Sequence, residues 1–179
     1  MLVAETLTLA GRLSAISTAL RPAEVTAICG PNGAGKSTLL ACLAGLLAAD
    51  AGQVSLNGTP LADVPAQQRA RAIGYLPQSP EIAWDVRVET LVTLGRIPWK
   101  GAGGDAAIDS AIAAMDLEAQ RHSPVSRLSG GERARALMAR VLAGSPDWLL
   151  ADEPLANLDL AHAARLVAQR GDLVEEIVA

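Results

Sequence analysis

"EVTAICGPNGAGKSTLL", Glu24 to Leu40, sets a dense apolar run against a glycine-rich turn and then against a second apolar run. The first run, Glu24 to Cys29, reads as a central buried strand, and the second as an apolar helix from Lys36 to about Leu47. The turn between them, "GPNGAGKS" from Gly30 to Ser37, matches G-x-x-x-x-G-K-[ST] in the strand-to-helix position that the motif needs. Gly33 and Gly35 keep Cβ atoms away from a bound anion, so successive N–H groups and the helix N-terminus can face phosphates. Gly30, Pro31, Asn32, Gly33, Ala34, Gly35, Lys36, Ser37 and Thr38 are therefore the expected phosphate cradle. In it Lys36 reaches the β- and γ-phosphates and the Ser37 hydroxyl binds Mg²⁺.

Downstream, "WLLADE" (Trp148 to Glu153) is an apolar strand that ends in acids, the usual companion of such a loop. Asp152 is expected to hold Mg²⁺ through its water shell, and Glu153 to polarise the attacking water. Upstream, "LVAETLTLA" and "LSAISTAL" alternate apolar and polar residues, which is the period of half-buried strands. "GQVSLNG" reads as a further strand closing in an Asn57-Gly58 turn. Between about Glu81 and Arg127 the pattern turns helical, in "RVETLVTLGR" and "DAAIDSAIAAMDL", with "GAGG" at Gly101 to Gly104 separating them. A helix to about Ala143 precedes the acid-ended strand, and another is expected from about Asp159. The fold class expected is α/β: a P-loop NTPase core with an N-terminal antiparallel β subdomain and an inserted helical subdomain, all in a single domain.

Composition narrows the function. The chain has 179 residues, half of them hydrophobic, enough for a sizeable core. The net charge is −4 with Lys and Arg scattered, and one Tyr, three Trp and no Phe leave little to stack on bases, so a nucleic-acid partner is not expected. Cys29 and Cys42 lack CxxC spacing and a neighbouring His, and are expected to be two buried, reduced thiols. Glu5 interrupts what would be the apolar stretch of a signal peptide, which points to the cytoplasm. The longest uncharged run, Ser37 to Ala49, falls short of the roughly 20 apolar residues that span a bilayer. Membrane association is thus expected through a partner.

"RLSGGERAR", Arg127 to Arg135, poses a separate question. Ser129 and Glu132 have the spacing of a capping box, which explains the serine and the glutamate but not Gly130 and Gly131. A helix-interior glycine costs about 1 kcal/mol relative to alanine. Bare backbone at a helix start behind a serine hydroxyl makes an anion site, a second one in this chain.

"LSGGE", Leu128 to Glu132, resembles the signature motif of the ATP-binding-cassette (ABC) ATPases, and the order of the motifs agrees over most of the chain. The resemblance implies a head-to-tail homodimer in which Ser129, Gly130 and Gly131 of one copy bind the γ-phosphate of ATP held by the other copy's P-loop. It implies that Gln78 in "YLPQ" is the Q-loop residue, sensing Mg²⁺ and the attacking water and coupling to transmembrane permease subunits. It also makes Asp159 in "LANLD" the D-loop residue at the dimer interface. Catalysis would fall to Glu153, Lys36 and Gln78, and Mg²⁺ to Ser37, Gln78 and Asp152. The whole chain, 1–179, is then one nucleotide-binding domain whose helical subdomain covers about 81–130. The gap between Gln78 and Ser129 holds no long coiled coil, as a transporter-type domain requires. The stretch from Tyr75 to Trp99, ending in "LGRIPW", is similar to ATPases of iron-siderophore, haem and cobalamin importers. The function implied is an ATPase subunit of such an importer, peripheral on the cytoplasmic face of the membrane.

Two departures from the family temper this. No aromatic residue lies between Met1 and Gly35 to stack on adenine, so weaker ATP affinity and poorer discrimination against GTP are expected, with the Arg12 guanidinium as the substitute platform. Neither His122 nor His162 is expected to be the family's switch histidine, since both stand at positions that fit capping or exposed roles. The alternative function is a shortened nucleotide-binding module with little or no turnover, and with the shortening come the expectations of exposed apolar faces or an unpaired sheet edge, and of reduced stability or reliance on a partner.

Overall fold

The structure is a computed structural model, and it describes residues 1–78, 82, 84–100, 104–153 and 174–176. The chain divides into two compact units, one of Met1–Arg69 with Val167–Ala179 and the other of Ala70–Leu166.

In the first unit the alternating segments form β1 (Leu2–Leu9) and β2 (Leu13–Leu20), and β4 (Ala51–Leu56) and β5 (Thr59–Pro60) follow later in the chain. They make one antiparallel sheet in the order β2-β1-β4-β5. Leu2, Ala4 and Leu7 are buried, so one face of β1 carries the core contacts. The period slips by one after Ala4, where the register with both neighbours shifts. The β4–β5 turn is the expected one, with Asn57 and Gly58 both at positive φ, 51° and 83°.

The strand β3 (Glu24–Thr26) is shorter than the run that predicts it, and all three of its residues are exposed, Val25 at 42%. Its described neighbour is β8 (Val174–Glu176), a parallel partner on one side. The exposure of these three residues differs from the buried run expected for Glu24 to Cys29; among the described residues β3 pairs with β8 alone. Cys29 is accordingly exposed, and only Cys42 is buried; burial pushes the Cys42 thiol up from its ordinary value. The helix α1 (Lys36–Leu43) also stops short of Leu47. Gly45, at φ 69°, turns the chain out of the helix, and its N–H donates to the Cys42 carbonyl at 2.9 Å.

The second unit takes in the end of α2 (Ala66–Ala72), then β6 (Ile73–Leu76), α3 (Val88–Thr93), α4 (Gly104–Ala114), α5 (Gly130–Ala143) and β7 (Trp148–Ala151). The helical pattern expected through Arg96 tightens after Thr93 into a 3-10 segment, Leu94–Trp99, with Pro98 inside it. Val88, Leu91 and Val92 of α3, Ile108 and Ile112 of α4, and Leu137 and Met138 of α5 close on one apolar core with Met115 and Leu117. Each such side chain contributes about 1.5–3 kcal/mol on full burial. On this core β6 and β7 pair in parallel, Ile73 opposite Trp148 and Leu76 opposite Ala151. The helix expected from about Asp159, with His162, lies outside the described residues. No described helix is long and apolar enough to cross a membrane.

Candidate functional site

The glycine turn leaves β3 and enters α1 with Gly33 at φ 83° and Gly35 at φ 91°. These left-handed conformations favour glycine. At Gly33 a Cβ would meet nothing within 4 Å, so the loop surface there is open. At Gly35 a Cβ would lie 2.5 Å from the Arg12 carbonyl oxygen and 2.9 Å from Leu13 Cδ2, so the loop is seated against the β1–β2 turn. Arg12 itself is exposed, on the turn that touches the loop. Lys36 Nζ donates to the carbonyls of Gly30 at 2.8 Å and Pro31 at 3.0 Å, which folds the ammonium over its own loop. Pro31, Asn32, Ala34 and Ser37 carry the open side of the turn, and Thr38 is buried. Open glycine backbone, an ammonium and a hydroxyl at one helix start fit a polyphosphate with its Mg²⁺.

In the second unit the parallel pair β6–β7 carries the acids and the glutamine to one end. The Asp152 N–H continues the ladder, donating to the Leu76 carbonyl at 2.9 Å. Asp152 is buried, 5% exposed, while Glu153 and Gln78 are exposed. Gln78 Nε2 donates to Glu153 Oε2, joining two residues 75 positions apart in the chain. Glu153 sits at φ 49°, a left-handed conformation that costs an ordinary side chain about 1–2 kcal/mol. Tyr75 on β6 feels this end of the sheet: burial, and then the Asp152 charge, push its phenol above the ordinary value.

At the start of α5 the expected capping box is present. The Ser129 hydroxyl accepts from the Glu132 N–H at 3.3 Å, and the Ser129 N–H donates to Glu132 Oε2 at 2.8 Å. The Ser129 hydroxyl and amide together hold the Glu132 carboxyl below its ordinary value. Gln120, which carries no sequence signal, steadies the box by donating to Glu132 Oε1 at 2.9 Å. Gly130 and Gly131 have ordinary backbone conformations, and a Cβ on either would meet nothing within 4 Å. Among the described residues, neither glycine is therefore required by packing or by φ. Asp159 lies outside the described residues. His122 is exposed, with Nδ1 3.5 Å from Oε2 of Glu89, the carboxylate whose other oxygen takes Arg121.

A glycine loop between strand and helix, ending in Lys-Ser, together with an apolar parallel strand ending in Asp-Glu, defines a P-loop nucleotide-binding protein. The chain belongs to the ABC transporter family, whose sequence profile matches residues 13–156. It is 42% identical over 175 residues to the hemin import ATP-binding protein HmuV of Streptomyces coelicolor, covering 93% of this chain and 62% of that protein. It is 43% identical over 173 residues to the protein of the same name from Myxococcus xanthus, covering 87% of this chain and 64% of that one. Among solved structures, cbiO1 from Clostridium perfringens, part of the ABC transporter complex cbiONQ, superposes with a TM-score of 0.77 at 28% identity, covering 94% of this chain and 72% of that one. The chain thus spans less than two thirds of the length of these two HmuV proteins.

Proposed function

We propose that this chain binds Mg-ATP and hydrolyses it as the nucleotide-binding subunit of an ABC importer, with haem or a related iron chelate as the transported class. The Gln78–Glu153 hydrogen bond carries the hydrolytic part of this reading, because it holds together the two residues expected to handle the attacking water. The names of the HmuV relatives support the choice of solute class.

Lys36 and the amides of Gly33 to Ser37 bind the phosphates and offset charge on the transferring γ-phosphoryl. Lys36 is released from the Gly30 and Pro31 carbonyls when phosphate takes their place. Ser37, Asp152 and Gln78 are the residues that would hold Mg²⁺, which would supply charge neutralisation for the phosphates. Glu153 accepts the proton of the attacking water at the carboxylate oxygen that Gln78 leaves open. Ser129, Gly130 and Gly131 serve the nucleotide of a second copy in a head-to-tail homodimer, which gives a reason for two glycines that nothing among the described residues of their own chain requires. Transmembrane permease subunits, met at the cytoplasmic face of the membrane, complete the assembly, and Asp159 lines the dimer interface. Arg12 takes the place of the missing aromatic under the base.

Steady-state phosphate release with Mg-ATP tests the reading, beside Lys36→Ala and Glu153→Ala. The expected result is turnover clearly above both variants. Turnover equal to theirs in a chain that still binds ATP would replace hydrolysis with a binding role.

A further inference from the structure

The stretch "LGRIPW", Leu94 to Trp99, has no part in the proposed chemistry, yet its side chains and backbone are tied closely to the end of α5. A helix leaves its last carbonyls without partners, and α5 ends at Ala143. Here Arg96 Nη1 donates to the Ala143 carbonyl at 3.1 Å and Trp99 Nε1 to the Gly144 carbonyl at 2.9 Å. The approach is possible because residue 95 is glycine: a Cβ there would lie 1.9 Å from the Arg140 carbonyl oxygen. The indole is held in turn by two cations, with the Arg71 and Arg96 guanidinium carbons 4.5 and 4.8 Å from the ring centroid. Arg71 Nε also donates to the Pro98 carbonyl at 3.0 Å.

These partners sit at two particular places in the chain. Gly144 is where α5 gives way to the turn that enters β7, and Arg71 lies near the end of α2, just before β6. Trp99 therefore ties together the starting ends of two parallel strands whose finishing ends carry Asp152, Glu153 and Gln78. Gly74 adds close packing behind them, since a Cβ there would lie 2.6 Å from Val141 Cγ1 and 2.9 Å from Pro146 Cγ. A strand advances about 3.3 Å per residue, so slippage of β7 against β6 by even part of a residue would pull Glu153 out of reach of Gln78.

We infer that Trp99, gripped by Arg71 and Arg96, is a positioning residue for the Gln78–Glu153 pair, acting by pinning the register of β6 against β7. The inference rests on the proposed hydrolytic role of that pair, but its first readout does not need turnover. Two variants are compared with the 179-residue chain: Trp99→Phe, which keeps a ring for the cations and loses the indole donor, and Trp99→Leu, which loses both. Amide hydrogen exchange is followed at Asp152, whose N–H bonds the Leu76 carbonyl, and at the α3 and α4 amides as an internal reference. Exchange at Asp152 is expected to quicken about fivefold in Trp99→Phe, the equivalent of one net hydrogen bond, and more in Trp99→Leu, with α3 and α4 unchanged. ATP affinity should stay within about twofold, while kcat falls about tenfold at constant KM, the mark of a misplaced reacting group rather than lost binding. Wild-type exchange at Asp152 in either folded variant overturns the inference, as does acceleration spread evenly over α3, α4 and β7. Should Trp99→Leu fail to fold, Trp99→Phe alone decides. Quickened exchange confined to Asp152 and its strand, in a protein whose wild type shows no turnover, would remove the hydrolytic reading and leave the pinning of the strands established.

Discussion

Gly35 and Gly131 are both glycines near a helix start, and they answer to different constraints. Gly35 is held at φ 91° against the Arg12 carbonyl, so Gly35→Ala brings strain and a backbone clash together. A loss of about 1–3 kcal/mol in urea unfolding is expected for it. Gly131 faces open space in ordinary backbone geometry, so Gly131→Ala should leave unfolding unchanged or raise stability by up to about 1 kcal/mol. The same Gly131→Ala chain is expected to lose ATP-dependent pairing, read by light scattering. A large stability loss in Gly131→Ala would show that the glycine serves its own fold after all. Ser129→Ala removes the acceptor for the Glu132 N–H and should cost about 1 kcal/mol.

At the scale of the element, two titrating groups report on how α5 and β6 are held. Glu132 binds its proton less tightly folded than unfolded, because Ser129 stabilises the carboxylate. Its contribution is present above the ordinary value of 4.5 and is lost as pH falls through the lower folded value. Acid unfolding of wild type and Glu132→Gln should therefore converge at low pH and separate above it. Tyr75 behaves in the opposite sense. Its folded value is raised, so the stability linked to its neutral form is full below the ordinary value of 10.0 and fades as pH rises through the folded one. Asp152→Asn should move the tyrosinate absorbance midpoint of this single tyrosine downward by part of its shift, since burial, the larger cause, remains. An unchanged midpoint would mean that the Asp152 charge does not reach the ring. Element boundaries are legible in the sequence where a local signal marks them, as at Ser129 and at Asn57-Gly58. The end of α1 is less so: the apolar run continues to Leu47, and only the left-handed Gly45 stops the helix.

At the scale of the whole molecule, the proposed head-to-tail pairing gives the signature residues their role on a second copy. Glu153→Gln should bind ATP, fail to turn it over and accumulate as a dimer. Light scattering that shows only monomer at saturating ATP would remove the head-to-tail arrangement for this chain. The expected loss of an adenine platform belongs here too, because Arg12 reaches the P-loop only through the fold. Arg12→Ala should weaken ATP binding by roughly 1–3 kcal/mol if the guanidinium stacks on the base.

By itself the sequence determined the glycine turn into α1, the acid-ended strand, the capping box and the family, because each depends on groups a few residues apart whose steric limits and hydrogen bonds are local. Only the tertiary structure decided that the residues of β3 are exposed, that Cys29 is open while Cys42 is buried, and that Gln78 meets Glu153. It also decided that Trp99 caps the end of α5 between two arginines. Contacts such as these join residues far apart in the chain, so they depend on which strands pair and how closely backbones approach. A local pattern can name the residues available for such contacts, but chain packing selects the ones that meet.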